Sequence, residues 1–300
     1  ISSAASDVYK RQAEQAEVNL RLKRNLNMLI IVSLLILGTV AAAICLYHYI
    51  GMPKCIGEKK YKYKTKKISV TYGNICLYGK AFVPISNKGK KFKTVIYAHG
   101  ALSSHKTDIS TLKSLAKSGV ACYTFDFYGW TSKSTGPKGA KWFKNTPISN
   151  TEAYAKMALL QVNDLNAVIE KVKSFDFVDA DNVYLLGSSM GSATAAACAA
   201  NCKGRVKGLV LQYPAMFLNE QAYETGAKYN VGRYCGPVLI LQGGRDKLVP
   251  VEQSARLADY YNCEKKHCKM IVYDNQPHVF RGKYKAVAAR NIYEFINSCA

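Results

Sequence analysis

The chain has 300 residues, 49% of them apolar and 21% charged, with 8 prolines, which is the composition of a folded globular protein and excludes a disordered or collagen-like one. Its charge is lopsided, with 42 Lys and Arg against 20 Asp and Glu, a formal excess of +22. That excess suits nucleic acid, an anionic surface or solubility alone. No RNP-like, zinc-finger or basic-zipper pattern accompanies it, so the expectation is dispersed solvated charge and no nucleic-acid partner.

Ile1–Gln12 resembles translated sequencing-adapter text, and residues 1–25 are set apart as an N-terminal tail. Leu26–Ile50 then carries no charged residue, and Met28–Leu46 alone supplies 19 nearly unbroken apolar positions. About 20 such residues cross a bilayer, and Tyr47 and Tyr49 fall where an aromatic belt sits. The expectation is a single-pass transmembrane anchor over 26–50, with a cleavable signal ending near Ala41–Ala43 as the alternative. Arg21, Lys23 and Arg24 on the near side argue for an extracytoplasmic C-terminal portion, against the count of lysines beyond the span. Residues 51–67, rich in Lys and Tyr, read as a basic linker, and 68–300 as one domain.

Ten cysteines, at 45, 55, 76, 122, 198, 202, 235, 263, 268 and 299, show no disulfide framework. Cys263, His267 and Cys268 hint at a metal ligand set, but no second ligand pair stands at zinc-like spacing, so neither metal nor cofactor is expected.

Ile68–Tyr72 and Ile75–Val83 predict two strands joined at Gly73-Asn74. Thr94–Ala98 predicts a buried strand ending at His99-Gly100, Lys106–Ser118 a helix stopped by Gly119, and Val120–Phe125 another buried strand. Thr131–Asn150 is a long polar loop. Asn150–Ser174 has helical periodicity through Met157, Leu160, Leu165, Val168, Ile169 and Val172. Val183–Gly187, Val206–Gln212, Pro237–Gln242 and Lys269–Tyr273 read as strands, and the alanine-rich run after Gly191, Val251–Tyr261 and Tyr284–Ser298 as helices. Strands alternating with helices at this spacing predict an α/β domain with a mostly parallel central sheet flanked by helices.

Within that alternation Gly187-Ser188-Ser189-Met190-Gly191 joins a strand to a helix, the context of a G-x-S-x-G nucleophile elbow. A serine hydroxyl needs a base, an acid that orients the base, and donors for the oxyanion. The chain offers them in the order Ser, acid, His. Asp246 follows Gly243-Gly244-Arg245 just past a strand, at the sheet edge where functional groups gather. His278 is the one histidine of five placed after that acid in a loop. The Met190 amide, at a helix N-terminus, and the Ala101 amide, aimed by a bend at Gly100, are the candidate oxyanion donors.

Tyr97–Ala101, Gly187–Gly191, Gly243–Asp246 and Pro277-His278 together resemble the motifs of the α/β-hydrolase superfamily, over residues 68 to the end. The set is similar to the branch of monoglyceride lipases, cinnamoyl esterases and serine-aminopeptidase-like relatives. Asp126–Gly129 with Ser132 or Ser134 is a degraded form of that branch's D-x-R-G-x-G-x-S loop and receives no role. Ser188 stands where the branch commonly has His. The resemblance implies an α/β-hydrolase fold with a Ser189–His278–Asp246 triad and an acyl-enzyme. Only Ala215–Gly236 separates Gln212-Tyr213-Pro214 from the strand bearing the acid, which implies a minimal cap over an open site. Tyr213, Met216, Phe217, Tyr223, Tyr229 and Tyr234 either line that site or pack the segment down, and Trp130, Trp142 and Phe143 offer a flap. The expected activity is cleavage of a carboxylic ester, lipid-like or otherwise small, beside a membrane. A serine peptidase and a non-catalytic binding protein on a hydrolase fold are the alternatives.

Overall fold

The computed structural model describes residues 3–50, 56–87, 89–147, 150–201, 205–216, 231–265 and 267–299. The chain divides into two compact units, 1–50 and 51–300. The first contains helix α1, Ser3–Ile50, with an Arg21–Glu17 pair one turn apart on its polar stretch.

α1 corrects the expected anchor. Among the described residues, no helix is long and apolar enough to cross a membrane. Side chains of α1 are described through residue 40, so positions 41–50 of the expected span lie outside them. The transmembrane helix, the membrane partner and the single-pass, extracytoplasmic placement are therefore overturned.

The second unit is built on an eight-stranded sheet. In chain order its strands are β1 (Tyr63–Lys67), β4 (Gly79–Pro84), β5 (Phe92–Ala98), β6 (Ala121–Phe125), β7 (Val178–Ser188), β8 (Gly208–Gln212), β9 (Val238–Gly243) and β10 (Cys268–Tyr273). They lie in the order β1-β4-β6-β5-β7-β8-β9-β10. From β6 to β10 all neighbours are parallel, whereas β4 pairs antiparallel with β6 and β1 with β4. β2 (Val70–Tyr72) and β3 (Ile75–Leu77) form a separate hairpin at Gly73, whose φ of 48° uses glycine's freedom. Residues 63–67, expected in the linker, are an edge strand. Alternate positions show too little apolar character to reveal it, because lysines suit an exposed edge that must not pair with another chain.

Period-two alternation along the strands fills two core layers. Ile96, Leu185, Leu209, Leu211 and Ile240 pack with α3 (Thr151–Lys173), α4 (Met190–Asn201) and α5 (Val251–Lys265) through residues such as Leu165, Ile169, Ala196 and Leu257. On the other face Val95, Tyr97, Leu186, Val210 and Leu239 meet α2 (Ile109–Lys117) and α6 (Lys283–Ser298) through Leu112, Leu115, Ile292 and Ile296. Each buried Leu or Ile contributes about 1.5–3 kcal/mol. α4 is buried along nearly its whole length, and its run of Ala, Gly and Ser lets it approach the sheet closely.

The order of strands places a switch point. The chain leaves β5 for β6 on one side and returns to β7 on the other. The crevice beyond the carboxyl ends of β5 and β7 is where open α/β sheets bind ligands.

One buried carboxyl ties the hairpin to this scaffold. Asp164 of α3 accepts hydrogen bonds from the Tyr72 hydroxyl and, at 2.9 Å, from the Tyr128 amide. Burial pushes its carboxyl up to about 7, against the downward pull of those two bonds. The folded value thus lies above the usual carboxylate value of about 4. Its stabilising contribution is complete below pH ~4 and is lost as pH rises through about 7. The melting temperature of Asp164→Asn, relative to the native chain, is expected to improve steadily from pH 4 to pH 8. A difference that stays constant across that range would contradict this reading.

Candidate active site

β7 ends at Ser188 and α4 begins at Met190, so Ser189 occupies the whole turn, with φ of 54° in the left-handed region. Such a conformation costs a non-glycine residue roughly 1–3 kcal/mol and persists only where the surroundings enforce it. They do so here at both ends. A Cβ added at Gly187 would strike the backbone of Gly191 and Ser192, and one at Gly191 would strike the carbonyls of Ala98 and His99. The Ser189 amide donates to the Gln212 carbonyl at 2.9 Å, and the Ser189 carbonyl accepts from the Ala215 amide at 3.2 Å.

The structure brings Ser189, His278 and Asp246 into one hydrogen-bonded line. His278 Nε2 lies 2.9 Å from Ser189 Oγ, and Nδ1 lies 2.8 Å from Asp246 Oδ2. A carboxylate only accepts, so Nδ1 carries the proton and the Nε2 lone pair faces the serine hydroxyl. The Asp246 side chain is fully covered, while His278 is 19% exposed. Burial raises the Asp246 carboxyl, but hydrogen bonds from His278 and the Val249 and Leu248 amides outweigh it and hold the group below the usual value. Gly243 and Gly244 make this closeness possible, because a Cβ on either would overlap the backbone of the 274–277 loop that delivers His278.

Ala101 reaches the same edge. A Cβ built on Gly100 would stand 3.2 Å from Ser189 Cβ and 3.8 Å from its Oγ, so the Gly100-Ala101 segment runs beside the hydroxyl. Met190, the first residue of α4, presents an amide that has no intrahelical acceptor. His99 is buried and fixed in one tautomer. Its Nε2 accepts from the Phe127 amide at 3.1 Å, and its Nδ1 donates to the Gly100 carbonyl at 2.7 Å.

Four supporting residues leave no clear mark in the sequence. Asp126, to which no role was given, is fully buried and accepts from the His105 amide at 2.5 Å, the His105 ring at 2.9 Å and the Thr131 hydroxyl at 2.8 Å. It thereby staples the 99–105 segment that carries Ala101. Ser134 caps the same turn by donating to the Asp126 carbonyl. Gln242, at the end of β9, donates to Asp246 Oδ2 at 3.1 Å and to the Val249 carbonyl at 3.0 Å, fixing the acid's turn. Gln212, at the end of β8, accepts from the Ser188 hydroxyl through Oε1 at 2.7 Å and from the Ser189 amide through its carbonyl at 2.9 Å, holding the elbow. The available signal was a buried Gln closing an otherwise apolar strand, twice.

Of the candidate lining residues, Tyr213, Trp130, Phe143 and Tyr234 are buried. Phe217, Tyr223 and Tyr229, with most of the short cap 215–236, lie outside the described residues. Among the described residues no group of His, Cys, Asp and Glu forms a metal-binding cluster; the Cys263 side chain lies outside them.

A parallel sheet with a serine lifted on a strand–turn–helix elbow at its switch point defines the α/β-hydrolase class. Residues 89–230 match the family described as serine aminopeptidase, S33, and residues 218–300 match the prolyl oligopeptidase family. The chain belongs to the α/β-hydrolase superfamily and is a serine hydrolase of that type. Among solved structures it is similar to Est1E from Butyrivibrio proteoclasticus with ferulic acid bound, at 21% identity and a TM-score of 0.62, over 77% of this chain and 98% of that one. It is also similar to dipeptidyl peptidase 4 from Porphyromonas gingivalis, at 16% identity and a TM-score of 0.60, over 80% of this chain and 36% of that one. A puromycin-hydrolyzing peptidase from Mycobacterium tuberculosis gives 16% identity and a TM-score of 0.62, over 80% and 39% of the two chains. The chain thus spans well under half the length of those peptidases. Among curated proteins none matches it.

The packing at Gly191 gives a direct check. Gly191→Ala forces a side chain into the β5 backbone, and overpacking costs at least about 1–3 kcal/mol. The expected result is a lower melting temperature together with loss of fluorophosphonate labelling. Unchanged stability and labelling would contradict the elbow packing described above.

Proposed function

We infer that the protein is a carboxylic-ester hydrolase in which Ser189 is the nucleophile, His278 the general base and acid, and Asp246 the group that orients the imidazole. The observation carrying this reading is the unbroken line from Asp246 Oδ2 through His278 to Ser189 Oγ. As Ser189 Oγ bonds to the substrate's carbonyl carbon, its proton passes to His278 Nε2 and the carbonyl electrons move to oxygen. The oxyanion is stabilised by the Ala101 and Met190 amides, the latter aided by the positive end of α4. Collapse breaks the bond to the leaving alcohol, which takes the proton from His278. Water then repeats the sequence on the acyl-enzyme and releases the acid and free Ser189. Neither step requires a metal or cofactor.

An ester with an apolar acyl part is favoured by the rim of the site. Leu102, Leu248 and Val279 are 75%, 52% and 50% exposed. Each stands within two residues of Ala101, Asp246 or His278 in the chain. The near-complete overlap with the whole of Est1E supports the same choice. A second reading, hydrolysis of small peptides, is favoured by the peptidase names of both matching families.

The two separate by rate. Turnover of p-nitrophenyl acyl esters is expected to exceed that of aminoacyl p-nitroanilides, and Ser189→Ala is expected to lower ester turnover by at least ~10³-fold. Faster turnover of the anilides would favour the peptidase, and an undiminished Ser189→Ala would remove the serine mechanism altogether.

A further inference from the structure

Gln212, the last residue of β8, and Tyr213 just after it touch both halves of the reacting pair. The Gln212 carbonyl accepts from the Ser189 amide and from the Ser192 hydroxyl, both at 2.9 Å. Its side-chain Oε1 accepts from the Ser188 hydroxyl at 2.7 Å. The next residue, Tyr213, lays its ring against the His278 imidazole, with centroids 4.7 Å apart and planes inclined at 55°. Phe280 also meets that ring edge-on at 5.2 Å, and the Tyr213 amide donates to the Leu241 carbonyl at 2.8 Å. Tyr213 is 3% exposed, so the ring has little room to turn.

The backbone is strained just where these contacts converge. Ser189, Tyr213 and Asp108 have φ of 54°, 38° and 53°, three of the five non-glycine residues with positive φ among those described. All three meet at Ser188, whose hydroxyl also lies 3.4 Å from Asp108 Oδ2. A bulky aromatic in the left-handed region is uncommon and signals a constraint that the surroundings impose. At Tyr213 that conformation turns the ring from the strand's end toward the imidazole, which an extended residue continuing β8 would not do.

We propose that Tyr213 is a positioning residue, and that Gln212-Tyr213 couples the elbow to the base, so that the Ser189–His278 distance is set by one rigid strand end. This rests on the reading of Ser189 and His278 as nucleophile and base. Asp246 holds the imidazole at its Nδ1 edge, and the tyrosine ring supplies the wall that stops the imidazole from tilting away from Ser189.

A purely structural Tyr213 would alter the folded fraction but leave the rate of each folded molecule intact. The test is therefore kcat and KM on a p-nitrophenyl ester, expressed per fluorophosphonate-titrated site, for Tyr213→Leu, Tyr213→Phe and Ser188→Ala of the full chain. A misplacement of about 1 Å costs up to ~10²-fold in rate, so Tyr213→Leu is expected to lose 10- to 100-fold in kcat at nearly unchanged KM. Tyr213→Phe keeps the ring and is expected to remain within about threefold of the native rate. Should Tyr213→Leu not fold, Ser188→Ala, which removes the side-chain link to Gln212 with little change in volume, is expected to lower kcat by about threefold or more without raising KM. Native kcat per site in Tyr213→Leu, an effect on KM alone, an equal loss in Tyr213→Phe, or native kinetics in Ser188→Ala where it stands in for Tyr213→Leu would overturn the proposal. A native protein that neither labels nor turns over would instead sink the underlying reading of Ser189.

Discussion

The structure turns on the left-handed backbone of Ser189. An L-residue does not rest there unaided, and the elbow holds it by denying space elsewhere. Gly187 lets the turn fold back onto Ser192, and Gly191 lets α4 lean on the carbonyls of β5. The small side chains of α4 follow from this, since a helix starting in such a turn must lie almost in contact with the sheet. The parallel strands on either side then supply carboxyl ends from which Gly100-Ala101, Asp246 and His278 approach the same point.

Polarity inside this edge is allotted sparingly. Asp246 is a covered carboxylate that accepts from an imidazole, two amides and a glutamine, enough to keep it ionised without solvent. Asp126 accepts hydrogen bonds from His105 and Thr131. Asp164 contrasts with Asp246. With fewer donors, burial prevails and its carboxyl rises to about 7. Buried acids within one fold thus diverge according to the number of donors each receives.

Much of this was legible in the sequence, and the reason differs from residue to residue. Ser189 was readable because its motif needs a strand before it and a helix after it, and both are strongly patterned locally. Asp246 and His278 followed from chain order and from the glycines that let their turns pack. Gln212, Gln242 and the His105–Asp126 pair are harder to read, because each acts on a partner distant in sequence or across a turn, and a Gln at the end of an apolar strand is the sole local mark of the first two. The strand at 63–67 was hidden by its lysines, which report an edge position and not a lack of structure. The anchor at 26–50 failed for a related reason. Apolar composition along a helix states what it can bury, and among the described residues no helix is long and apolar enough to cross a membrane.

Mass-spectrometric mapping of a fluorophosphonate adduct tests most directly whether His278 activates Ser189. A single adduct on the peptide carrying Ser189 is expected in the native chain, formed far more slowly in His278→Ala. An adduct on another residue, or one formed on Ser189 equally fast without His278, would contradict that activation.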